Sequence, residues 1–113
     1  MRNSYRAVEV KKDMAGGSGT VTLRHILNEQ ELNGKCRLYA EVTLEPGASI
    51  GNHSHHGETE TYYILRGQGV YTDNGQERPV AAGDITFCKD GDSHGLQNTG
   101  EEPLALMALI ILG

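Results

Sequence analysis

Apolar and polar positions alternate most cleanly over Cys36–Leu44, with Cys36, Leu38, Ala40, Val42 and Leu44 on one side and Arg37, Tyr39, Glu41 and Thr43 on the other. A period of two predicts a β-strand with one buried face. Glu45-Pro46-Gly47 closes it, because proline presets the turn and glycine tolerates positive φ. Further strands are expected from Thr20 through Leu27, over Thr59–Leu65, Val70–Thr72, Gln76–Val80, Ile85–Cys88, His94–Asn98 and Leu104–Leu112. Between them lie Gly-, Asn- and Asp-rich turns, including Asp73-Asn74-Gly75, whose Asn-Gly pair favours a tight hairpin. Many short strands without a helical crossover predict an all-β fold of antiparallel sheets, as a sandwich, jelly roll or barrel.

Residues 1–19 stand apart from this pattern. They are polar and end in Ala15-Gly16-Gly17-Ser18-Gly19, which predicts a flexible joint behind a short N-terminal arm, followed by a single domain over 20–113. The arm is expected either to pair with a neighbouring subunit or to be disordered.

A length of 113 residues allows one core and no second module of consequence. The net charge of -5 is scattered, without a basic stripe, which argues against nucleic acid as a partner. The longest apolar run, Leu104–Leu112, is too short to span a bilayer, so a soluble cytoplasmic protein is expected. Cys36 and Cys88 read as two reduced thiols in apolar surroundings.

The candidate chemistry sits in Gly47–Gly67. Residues two apart on a strand share a face, so His53 and His55 can aim inward together while Ser54 points away. Glu60 follows across a short loop eased by Gly57, with Glu58 as an alternative carboxylate. Imidazole nitrogen with carboxylate oxygen suits Mn, Fe, Ni, Co, Cu or Zn and makes poor company for Ca or Mg. His56 has the opposite parity, and His25 reads as an ordinary strand histidine.

At this point the chain resembles the cupin family. Gly47, His53, His55, Glu60 and Gly67 fall at the spacing of the first cupin motif, and Gly83, Gly91, His94 and Asn98 at that of the second. One departure is Lys89, where the family usually has a turn-stiffening proline; no ligand depends on it. The fifteen residues Gln68–Ala82 between the motifs look like the spacer of small single-domain bacterial cupins. The resemblance implies a double-stranded β-helix, a small jelly-roll barrel, with a divalent metal, Mn or Fe favoured, held by His53, His55, Glu60 and His94. It also implies a homodimer, for which Val8–Lys12 offers an exchanging strand.

Four ligands on an ion that prefers six leave two adjacent positions for a small oxygen-rich molecule: a carboxylic acid, a diol or a sugar. Two readings follow, a metal-dependent decarboxylase, dioxygenase, isomerase or lyase, and a non-catalytic binding or sensing module. Tyr62 shares the parity of Glu60 and is the candidate for orienting substrate or moving a proton, against a plain role in the barrel wall. Phe87, Leu96 and Met107 are expected as apolar pocket lining.

Overall fold

A computed structural model describes residues 1–113. Its strands are β1 (Ala7–Lys12), β2 (Thr20–His25), β3 (Cys36–Leu44), β4 (Ser49–Ser54), β5 (Glu58–Arg66), β6 (Gln68–Asp73), β7 (Gln76–Ala81), β8 (Ile85–Cys88), β9 (Ser93–Asn98) and β10 (Leu104–Leu112). They form a six-stranded sheet in the order β1-β2-β3-β10-β5-β8 and a four-stranded sheet in the order β4-β9-β6-β7. Every pairing is antiparallel, as expected for a jelly-roll barrel.

Alternation decides what each strand buries. Ala40, Val42 and Leu44 of β3 point into the space between the sheets, where they meet Ile64, Leu104 and Leu106. Each fully buried Val, Leu or Ile side chain among them contributes about 1.5–3 kcal/mol relative to exposure. The Asn74-Gly75 pair turns β6 into β7 with both residues at positive φ, 49° and 84°. Two left-handed residues in succession match the right-handed twist of the flanking strands. Asn98, buried in the interior, donates from Nδ2 to the carbonyls of Leu44 (3.0 Å) and Glu102 (2.9 Å) and accepts from the Gly100 amide (2.9 Å). It thereby fastens the turns at that end of the barrel.

Residues 7–12 are the outermost strand of the six-stranded sheet, paired with β2 of the same chain from Ala7↔His25 to Lys12↔Thr20. The Gly-rich joint folds into a 3-10 turn, Met14–Gly16, laid directly on β4. Gly17 and Gly51 make this approach possible: a Cβ on Gly51 would stand 2.1 Å from the Ala15 carbonyl oxygen. The polar run after β2 also contains a short helix, α1 (Glu29–Leu32). Asn28 and Glu31 cap it reciprocally, Asn28 Oδ1 accepting from the Glu31 amide and Glu31 Oε1 from the Asn28 amide.

Candidate metal centre

Four donors converge at one end of the space between the sheets. His53 comes from β4 and His94 stands directly opposite it on β9, so the four-stranded sheet supplies both. Glu60 comes from β5 in the six-stranded sheet, and His55 from the segment linking β4 to β5. The backbone of His55 is fixed on both sides, its amide donating to the Asp92 carbonyl (3.1 Å) and its carbonyl accepting from the Gly91 amide (2.7 Å). Gly57, at φ 75°, then lets the chain reverse into β5.

One ligand atom from each of His53, His55, Glu60 and His94 lies within 4.8 Å of the others. Glu60 Oε1 is 2.9 Å from His55 Nε2, 3.0 Å from His94 Nε2 and 3.8 Å from His53 Nε2. His94 Nε2 is also 3.0 Å from His55 Nε2 and 3.1 Å from His53 Nε2. With bonds of about 2.1 Å, neighbouring ligands of a six-coordinate ion stand about 3.0 Å apart, and those of a tetrahedral ion about 3.4 Å. Four of the five separations match the former.

The opposite nitrogens explain why the Nε2 atoms face inward. His53 Nδ1 donates to the Gly51 carbonyl (2.8 Å) and His55 Nδ1 to the Glu58 carboxylate (2.5 Å), while His94 Nδ1 meets the Tyr71 hydroxyl (2.9 Å). A neutral imidazole that donates from Nδ1 presents only a lone pair at Nε2. His53 and His55 therefore turn lone pairs toward one another and toward a carboxylate with no proton between them. A cation satisfies that arrangement, and the residues fit a divalent metal.

Without an ion, the charges in the cluster move the titrations apart. The Glu60 carboxylate raises His53, while burial holds His94 below the usual imidazole range. Burial pushes Glu60 up, but the surrounding imidazoles outweigh it and bring it to about 2. Burial also raises Tyr71 to about 12, Cys88 to about 11 and Tyr62 well above the ordinary phenol value.

His53 retains 25% side-chain exposure, against 4% for His55, 5% for Glu60 and 0% for His94, so solvent reaches the cluster on the His53 side. Tyr62 is buried, with its ring stacked on His94 at 5.0 Å between centroids and 21° between planes. Leu96 is buried as well. Phe87 and Met107 depart from the expected pocket lining. On β8 the inward positions are Thr86 and Cys88, which leaves Phe87 58% exposed on the outer face. On β10 the buried positions Leu106 and Ala108 flank Met107, which faces outward. His56 is exposed, and His25 is engaged with Glu9 away from the cluster.

Three partners around the cluster escape a reading of the sequence. Glu58 is not a spare ligand: it accepts from His55 and from both Nε and Nη2 of Arg37, each at 2.7 Å. Arg37 lies 21 residues upstream, and no local pattern links the two. Tyr71 is signalled only by its inward parity on β6.

A Cupin domain family model matches residues 40–110. An "Oxalate-binding protein" of Thermotoga maritima is 45% identical over 112 residues, covering 99% of this chain and 93% of that protein. Among solved structures, the crystal structure of a predicted oxalate decarboxylase from Thermotoga maritima superposes with a TM-score of 0.91 at 45% identity, covering 95% of this chain and 93% of that one. A Cupin 2 conserved barrel domain protein from Salinispora arenicola superposes with a TM-score of 0.67 at 26% identity, covering 79% and 75%.

Proposed function

The chain belongs to the cupin family, and from that premise we propose that it binds a small chelating carboxylate of the oxalate class at a divalent metal held by His53, His55, Glu60 and His94. The observation that carries this reading is the convergence of three Nε2 atoms and one carboxylate oxygen, with Glu60 within 3.0 Å of His55 and His94. Three neutral imidazoles and one carboxylate sum to -1, so a divalent ion leaves the site at +1 and draws an anion. When bound, the metal supplies Lewis acidity and two coordination positions beyond the four protein donors. The octahedral spacing favours Mn or Fe over a tetrahedral ion. The 45% identity to an oxalate-binding protein points to the same ligand class.

This chain's residues support capture rather than turnover. Near neutral pH a general acid or base needs a titration close to the working pH. Tyr62, Tyr71 and Cys88 are all raised by burial and remain protonated. Glu58 is committed to Arg37 and His55. Tyr62 on this reading orients His94 by stacking and offers the site a neutral phenol wall.

The test is calorimetric titration of metal-loaded and metal-stripped protein with oxalate, malonate, acetate and glucose, alongside assay of carbon dioxide release. Metal-dependent binding of oxalate without carbon dioxide is the expected result. Oxalate binding that ignores the metal overturns the reading; turnover replaces it with the enzyme reading.

No helix is long and apolar enough to cross a membrane, and both cysteines are free, which is compatible with a reducing cytoplasm as the proposed setting. A homodimer is proposed on the outer face of the six-stranded sheet rather than through exchange of β1. There Ile85 stands opposite Tyr63 and Tyr63 opposite Met107, with Phe87 and Leu65 exposed beside them. Sedimentation of Phe87→Glu, expected to be monomeric where the parent is dimeric, checks this.

A further inference from the structure

We propose that Glu58, clamped by Arg37, is a positioning residue that sets the tautomer and ring orientation of His55 and thereby the metal affinity of the site. This rests on the metal-binding reading above and extends it to residues that touch no metal.

The three histidines are braced differently. His53 leans on a backbone carbonyl and His94 on a tyrosine hydroxyl, both neutral partners. Only His55 leans on a carboxylate, and a charged acceptor makes the stronger hydrogen bond. The backbone of His55 is fixed at both amide and carbonyl, so rotation of the ring is its remaining freedom. A half-turn of the ring exchanges Nδ1 with Cδ2 and Nε2 with Cε1, so a carbon replaces the donor nitrogen in the cluster.

Glu58 prevents that turn only while its own carboxylate is held still. Arg37 does so in two-toothed fashion, Nε to Oε1 and Nη2 to Oε2, reaching from β3 across the last residues of β10 to β5, where Leu112 pairs with Glu58. Oε2 is the oxygen shared with His55, so the guanidinium and the imidazole pin the same atom. The chain from solvent to cluster thus runs Arg37, Glu58, His55. Its outer member is 56% exposed at the side chain and its inner member 4%.

The experiment pairs two measurements on Glu58→Ala, Arg37→Met and Arg37→Lys. Nitrogen-15 shifts of the His55 ring in metal-free protein, at a pH where imidazoles are neutral, report the tautomer. Competition with a chelator reports Mn2+ affinity. Partners of this kind around a metal ligand cost about 10–100-fold in affinity when removed. Glu58→Ala is expected to weaken Mn2+ binding by that factor and to lose the Nδ1–H preference. Arg37→Met is expected to show a smaller loss, with Arg37→Lys recovering part of it.

Affinity within about twofold of the parent in Glu58→Ala, or a His55 that keeps its Nδ1–H tautomer, overturns the proposal. Should Glu58→Ala not fold, Arg37→Met, altered at a largely exposed side chain, decides by the same two readouts. A parent protein that takes up no Mn2+ sinks the metal reading, while the metal-free tautomer measurement still decides the role of Glu58.

Discussion

Replacing Gly51 by alanine tests how the N-terminal segment is coupled to the metal site. The added Cβ would stand 2.1 Å from the Ala15 carbonyl oxygen and 2.7 Å from the Gly17 nitrogen. Carbon and oxygen in even a close contact keep about 3.3 Å, so the overlap is about 1 Å and falls on backbone that no rotamer change can move. The turn over Met14–Gly16 must lift, or β4 must shift at the irregularity between Ile50 and His53. Overpacking of this kind costs about 1–3 kcal/mol. At about 2.1 cal/mol/K per residue, 113 residues give an unfolding entropy of about 0.24 kcal/mol/K, hence a Tm lowered by about 4–13 °C. The Gly51 carbonyl also orients His53, so a shift of β4 is expected to weaken Mn2+ binding about tenfold. Melting curves of metal-free Gly51→Ala, with the exposed Ser54→Ala as control, measure the first effect; chelator competition measures the second. A Tm within about 1 °C of the parent, with unchanged metal affinity, refutes the coupling.

Three further outcomes are expected. Stripping the metal lowers Tm by about 11 °C relative to protein at one hundred times its Kd, since saturation to that degree adds about 2.7 kcal/mol, and calorimetry with and without chelator checks it. Tyr62→Phe keeps the metal and changes oxalate affinity less than about threefold if the ring serves as wall, whereas a larger loss by titration calorimetry assigns the hydroxyl a direct role. The Glu31 carboxylate, held down by Arg6 and by the Asn28 amide, titrates at about 2. Its stabilising effect is present above the usual carboxylate value of about 4.5 and is lost as pH falls through about 2. Carbon-13 titration should show the Glu31 midpoint rising in Arg6→Ala.

The ligand cluster was legible because the fixed spacing of the motifs carries it: His53, His55, Glu60 and His94 all reach one point, although His55 lies just past the end of β4 and not on the strand whose parity was expected to aim it. Fold class followed from alternation, which β3 displays most clearly. What stayed hidden did so for identifiable reasons. β1 carries Val8 and Val10 on one side but buries neither, so the sequence offers a strand there without naming its partner, and pairing with β2 of the same chain defines it. β10 is apolar throughout, so polarity says nothing about which way Met107 points. For Phe87, the inward parity of Cys88 was the available signal, and it lay in a residue read only as a thiol. The α1 helix is too short for periodicity, although Asn28 and Glu31 spell a capping box. Glu58 and Arg37 meet only across the end of another strand, a relation that belongs to topology.

The donor set straddles both sheets, with His53 and His94 on one and Glu60 on the other. An ion held by them can form its full set of bonds only after the two sheets have docked, which is late in assembly. Stabilisation added after the folding transition state slows unfolding and leaves the folding rate untouched. Saturating metal should therefore lengthen the lifetime of the native protein by about the same hundredfold that separates its concentration from Kd, while refolding proceeds at the metal-free rate. The metal would then act as a latch on escape from the native state.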